Sequence, residues 1–366
     1  MRIFLIILLM LTLNACKEPK MSIVELGKQL YHDPILSKNK TQSCAQCHNP
    51  EHGFIDNRDN GVAGAVSLGD DGKSLGSRNT PTASYAMISP DFYFNKKTKE
   101  WMGGQFHDGR AKDLQAQAGA PPLNPSEMGM KDKQSVIERL KQHPDYAKQF
   151  KSIFGKDIFN DADKAYDAMT LSIAKFEQTD EFAPFDSKYD RYLRGEYELT
   201  DLEDLGRSLF FSNNNTNCSS CHQLKRISER EGETFSNYEY HNIGTPAREQ
   251  SIIDYGLLAN PQVTDRKQDG KFKVPTLRNI AVTGPYMHNG VFRELTTVIE
   301  FYDKYLNPSR THNPETQKPW KQAEVQETVN MNRLRKGKKL SDRKIKAIVA
   351  FLNTLTDRRY EHLISK

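Results

Sequence analysis

Two pentapeptides constrain this chain more than any other feature: Cys44-Ala45-Gln46-Cys47-His48 and, in the second half, Cys218-Ser219-Ser220-Cys221-His222. Cys-x-x-Cys-His is the attachment spacing of c-type haem. Two thiols three residues apart each close a thioether onto a haem vinyl, and the histidine that follows at once lies under the iron as proximal ligand. A zinc cage would need a third and fourth soft ligand clustered with each pair, and neither pentapeptide has them nearby in sequence. Two copies therefore predict two covalently bound haem c groups, on Cys44, Cys47 and His48 and on Cys218, Cys221 and His222.

The fifth and last cysteine is Cys16, so no disulfide is expected. It follows a basic start and an apolar run from Ile3 to Leu13, too short to span a bilayer. Leu13-Asn14-Ala15-Cys16 resembles a lipobox, in which the cysteine is acylated and becomes the first residue. We expect a lipoprotein signal peptide over 1–16 and a periplasmic protein held to a membrane by a lipid on Cys16; an ordinary signal peptide is the alternative.

The chain repeats itself. LGKQLYHDPILSKNKTQSCAQCH (26–48) aligns with LGRSLFFSNNNTNCSSCH (205–222), TPT (80–82) with VPT (274–276), QFHDGRAKDL (105–114) with YMHNGVFREL (286–295), and LSIAKFEQT (171–179) with KAIVAFLNT (346–354). Apolar residues recur at helical spacing over 22–31, 133–151, 163–179, 202–210, 295–304 and 341–355, separated by Gly/Pro/Asn-rich loops, and no sustained alternation marks a strand. At 366 residues there is room for two cores. The expected fold is mainly α, with two tandem cytochrome-c-like haem domains over 21–185 and 195–366, long loops, and a linker within 181–200. The basic run 333–339 reads as a solvated loop. A net charge of +5, from 52 basic and 47 acidic side chains, accompanies no nucleic-acid motif, so no nucleic-acid partner is expected.

Distal groups decide function. Fourteen residues after His288 stands Tyr302, and fourteen after the aligned His107 stands Pro121. Proline has no ligating atom, which would leave the first iron open, whereas a tyrosine phenolate can close the second. Tyr302 reads equally as a buried aromatic of a helix face. Gln117 and Glu127 lie in the loops beside the open site. Glu127 is a candidate acid–base group for splitting peroxide and Gln117 a candidate for orienting it; both also read as ordinary surface residues.

These segments resemble the bacterial di-haem cytochrome c peroxidase and MauG superfamily over nearly the whole chain beyond the signal peptide, through CHNPEHGFID, GSRNTPT, QFHDGRAKDLQAQAGAPPLNPSEMG, VPTLRNIAVTGPYMHNG and AFLNTLTD. The resemblance implies that the first haem is peroxidatic, with Gln117 and Glu127 on its distal side, and that one calcium ion is held by the carbonyls of Asn79, Thr283 and Pro285. Peroxidases of the superfamily close the second haem with methionine and carry a displaceable histidine before the PT turn. Here Tyr302 takes the first place, and GDDGKSLGSRNTPT (69–82) has no histidine, both similar to the MauG branch. Two features differ from that branch: His107 stands where the superfamily has an inter-haem tryptophan, and Thr216 where MauG has a surface tryptophan. The expected function is a di-haem peroxidase that reduces hydrogen peroxide at the His48 haem. Its electrons would enter through the His222 haem from a small periplasmic c-type cytochrome or copper protein. The alternatives are a MauG-like oxidase acting on a protein substrate and a non-enzymatic di-haem electron carrier.

Overall fold

Helices form where the apolar spacing demands them, in a computed structural model that describes residues 21–224, 232–249 and 251–364. The signal peptide and Cys16 lie outside the described residues. The first half holds α1 (Ile23–His32), α2 (Cys44–Cys47), α3 (Leu114–Ala118), α4 (Lys133–Gln142), α5 (Pro144–Phe154) and α6 (Ala162–Glu177). The second holds α7 (Lys188–Leu193), α8 (Asp201–Phe210), α9 (Leu295–Asp303), α10 (Met331–Leu334) and α11 (Asp342–Asn353). Among the described residues sheet is confined to two-stranded pairs, β1 (Tyr93–Asn95) with β2 (Glu100–Met102), β3 (Tyr240–His241) with β4 (Phe272–Lys273), and β5 (His312–Asn313) with β6 (Lys318–Pro319). The fold is mainly helical. Among the described residues no helix is long and apolar enough to cross a membrane.

The repeat has a packing reason. Ser22 and Glu25 form a capping box at the start of α1, as Thr200 and Glu203 do for α8. Each helix then crosses the last helix of its half at a glycine. A Cβ on Gly27 would lie 1.9 Å from the Ser172 carbonyl oxygen of α6, and one on Gly206 would lie 1.8 Å from the Ala347 carbonyl oxygen of α11. Only a residue without a side chain permits that approach.

One hydrophobic cluster gathers Leu26, Leu30, Phe150, Phe176 and Phe182, and a second gathers Leu209, Phe210, Phe301, Ile348 and Phe351. The expected helix over 133–151 is two helices, because Pro144 lacks the amide hydrogen that would continue α4 and instead starts α5. Within the stretch read as linker, α7 forms, and its Tyr189 belongs to the second cluster.

The halves are tied by buried polar contacts. Asp357 accepts from the Tyr85 hydroxyl at 2.5 Å and from Asn279 Nδ2 at 2.8 Å, and burial pushes its acid up to about 6. Arg78 joins Asp108 of the first half to Asp254 of the second, at 2.7 and 2.6 Å.

Candidate haem and active sites

The CxxCH segments are shaped locally for haem. Gln46 Oε1 accepts from the Ser43 amide at 2.7 Å and closes α2 into one turn. Cys218–Ser220 forms a 3₁₀ turn. His48 Nδ1 donates to the Phe54 carbonyl at 3.2 Å and His222 Nδ1 to the Phe235 carbonyl at 2.9 Å. A carbonyl only accepts, so each ring carries its proton on Nδ1 and leaves the lone pair on Nε2, the tautomer an iron needs. Both phenylalanines are fully buried and left-handed, at φ 54° and 55°, a conformation rare for a side chain of that size.

Burial holds both imidazoles neutral, His48 below its ordinary range and His222 down to about 4. The four motif cysteines are unpaired and half-buried, with the Cys47 thiol raised to about 11, mainly by burial. Among the described residues no three His, Cys, Asp or Glu side chains converge on a metal position. Two thiols and one neutral imidazole per motif fit a covalently attached haem.

The distal sides differ. Tyr302 lies on α9; burial raises its phenol first, and the Cys221 and Cys218 thiols of the second motif add to the shift. Pro121, which the repeat aligns with Tyr302, opens a 3₁₀ turn through Leu123 and has no side-chain donor. Glu127 follows in the same loop. Its charge is felt at Cys47, burial raises its own acid, and Arg110 opposes that rise. Asn124 Nδ2 donates to Glu127 Oε1 at 2.8 Å and fixes the carboxyl's direction. Gln117 sits half-buried in the last turn of α3.

The 69–82 loop is fastened over this region. The Asp70 amide donates to the Glu127 carbonyl at 2.7 Å, and the Asp70 carboxylate accepts from the Asn39 amide and the Thr41 hydroxyl, each at 2.7 Å. The loop thus pins the Glu127 backbone and supplies no imidazole.

The residues read as calcium ligands lie where the halves meet. The Asn79 amide donates to the His288 carbonyl at 2.8 Å, and the Asn79 carbonyl accepts from His107 Nε2 at 2.9 Å. Thr283 and Pro285 pack against Gly53 and Gly64 of the first half. His107, neutral because burial and Arg78 depress it to about 3, is a hydrogen-bonding residue at this seam.

Sequence reading missed several groups. Arg58 Nη2 lies 3.5 Å from Cys47 Sγ, and Arg333 Nη1 lies 3.8 Å from Cys221 Sγ, so the basic run read as solvated contributes a haem-site residue. The Phe54 and Phe235 carbonyls stand six and thirteen residues from their histidines, offsets too unlike to be seen as a pattern. Glu177 is buried with Oε2 unpartnered, and when ionised it would act on Cys44; the repeat could have revealed it, since the aligned residue is Leu352.

The family profile of the di-haem cytochrome c peroxidases matches residues 21–198. The methylamine utilization protein MauG of Paracoccus denitrificans is 49% identical over 94% of this chain and 91% of its own. The cytochrome c peroxidase Ccp of Escherichia coli is 34% identical over 77% of this chain and 53% of its own. Among solved structures, the diheme peroxidase BthA of Burkholderia thailandensis superposes with a TM-score of 0.83 at 28% identity, covering 94% of this chain and 88% of that one.

Proposed function

The chain belongs to the di-haem cytochrome c peroxidase family, and from that premise we propose that it reduces hydrogen peroxide at the first haem position with electrons that arrive through the second. As a family member it is a peroxide-dependent oxidoreductase. The observation that carries the finer reading is the asymmetry of the distal sides: Pro121 with Glu127 at the first, Tyr302 at the second.

A haem held by Cys44, Cys47 and His48 would supply the redox chemistry that reduces peroxide. The protein supplies the rest. Glu127 takes the proton from the oxygen nearer the metal and returns it to the departing oxygen, which leaves as water. Burial supports this role, because an acid raised from its usual range exchanges protons more readily near neutral pH. Asn124 holds the carboxyl in place, and Gln117 orients the peroxide. The sum is one hydrogen peroxide, two protons and two electrons giving two waters. Tyr302 would close the second haem position, which would then pass electrons and not bind peroxide.

The electrons come from a small c-type cytochrome or copper protein in the periplasm, where a lipid on Cys16 would hold the enzyme to a membrane. The carbonyls of Asn79, Thr283 and Pro285 would hold a calcium ion, and the Asn79 carbonyl already accepts from His107 Nε2. A second reading, MauG-like oxidation of a specific protein substrate, is favoured by Tyr302 and by the histidine-free 69–82 loop.

The test is peroxide consumption by the oxidised holoprotein without prior reduction, in wild type and Glu127→Gln. Wild type turns over at once, and the variant is slower by roughly 10²–10⁴-fold. Equal rates would remove Glu127 from the chemistry, and an absolute need for half-reduction would remove the open first site.

A further inference from the structure

The β1–β2 hairpin belongs by sequence to the first half but is built onto the second. The Gly103 amide donates to the Tyr238 carbonyl at 3.0 Å, the Tyr240 hydroxyl donates to the Gly103 carbonyl at 2.5 Å, and Met102 bridges Glu239. That same strand leads into the second haem site. Glu239 Oε2 lies 3.3 Å from His241 Nε2 and 3.5 Å from Arg333 Nη2, and Arg333 reaches Cys221 Sγ.

Along this junction runs a file of rings. Trp101 stacks on Phe92 with centroids 4.8 Å apart and planes 6° apart, and Phe92 meets Tyr240 edge-on at 6.1 Å. Gly109, at φ +68°, leaves the space: a Cβ there would lie 2.2 Å from the Tyr240 hydroxyl oxygen and 2.5 Å from Phe92. Outward of Trp101 the hairpin exposes Phe94, 5.2 Å from the indole, and Tyr93, at 43% and 42%. The turn between the strands carries exposed Lys96, Lys97 and Lys99, with Glu100 the one acid of the hairpin. Apolar rings rimmed by exposed positive charge are the pattern of a transient redox interface.

We propose that this hairpin is the electron-entry face: a small redox protein with an acidic rim docks on Tyr93, Phe94 and the three lysines, and its electron reaches the second haem position through Trp101, Phe92 and Tyr240. The proposal rests on the peroxidase reading and names the chemistry of its donor. An indole can lose an electron without losing its proton. The Tyr240 phenol donates to the Gly103 carbonyl, a very weak base for its proton, so its ring serves as a bridge and Trp101 as the stopping point. Each docking moves one electron: the donor's metal is oxidised by one, Trp101 is oxidised and re-reduced, and two dockings complete the reduction of one peroxide to two waters. The rival face is the open depression of about 630 Å³ beside the second motif, bordered by Asn213, Ser219, Leu224 and Lys336.

The experiment uses the full-length holoprotein, with a reduced acidic c-type cytochrome as probe. Calorimetric titration at low salt reads docking: the triple reversal K96E/K97E/K99E weakens binding by about tenfold or more, and K336E leaves it unchanged. Trp101→Phe keeps the affinity for the cytochrome but slows its oxidation, and peroxide given without any donor leaves oxygen adducts on Trp101 that mass spectrometry finds. Unchanged binding in the triple variant, weakened binding in K336E, or a Trp101 that is neither modified nor needed overturns the proposal. A wild type that consumes no peroxide with any donor instead defeats the peroxidase reading, and the titration still reads the docking face.

Discussion

Glu177 ends α6 where the repeat places Leu352 in α11, and the difference between those two residues has a measurable cost. Its side chain is buried, Oε2 has no hydrogen-bond partner, and its charge would act on Tyr31 and Cys44. Burial alone raises the acid from 4.5 to about 8. The unfolded chain releases this proton near pH 4.5 while the folded chain keeps it, so the contribution to stability is fully present below 4.5 and is lost as pH rises towards 8. The slope is about 1.4 kcal/mol per pH unit, which from pH 4.5 to 7 amounts to roughly 3 kcal/mol. Glu177→Leu copies the second half of the molecule and abolishes this titration. Urea denaturation of the holoprotein at pH 5, 6, 7 and 8 should show a stability advantage of the variant that widens with pH and levels off above 8. An advantage that stays constant across the series would refute the reasoning, because it would mean that the carboxyl ionises alike in both states. At neutral pH the group is uncharged, so the first haem site carries no added negative charge from this side.

Two further outcomes follow from single contacts. Tyr302→Phe keeps the ring and removes the hydroxyl, so the absorption and paramagnetic spectra of the low-spin haem should change while the first haem's do not; identical spectra would exclude ligation. Gly206→Ala forces a Cβ to within 1.8 Å of the Ala347 carbonyl oxygen, a backbone atom that cannot swing aside. It should destabilise the second half by about 2–3 kcal/mol in thermal or denaturant unfolding, and wild-type stability would show that α8 and α11 do not meet as described.

What the sequence revealed depended on how far each signal travels along the chain. Haem attachment is local, because two thiols and an imidazole must sit within five residues, and Cys44 to His48 announce it unaided. Long helices were legible from their spacing, and the glycines at 27 and 206 were visible as aligned positions before their crossing role was known. The break at Pro144 was missed because the apolar rhythm continues across it. Short elements such as α3 and α7 are held by caps at Asp113 and Ser187 and by tertiary packing, not by periodicity. The carbonyls that orient His48 and His222 belong to backbone, which carries no residue-type signature, and they arrive from unlike offsets. Arg333 comes from far along the chain, and nothing local distinguishes it from its solvated neighbours. The ring file from Trp101 to Tyr240 joins residues far apart in sequence, so only the fold could assemble it.

The central claim is that one iron is accessible and the other is capped. Low-temperature electron paramagnetic resonance of the fully oxidised holoprotein at rest tests it most directly. The account predicts one high-spin ferric haem lacking a sixth protein ligand and one low-spin haem whose signal depends on Tyr302. Two low-spin haems in the resting protein would contradict it.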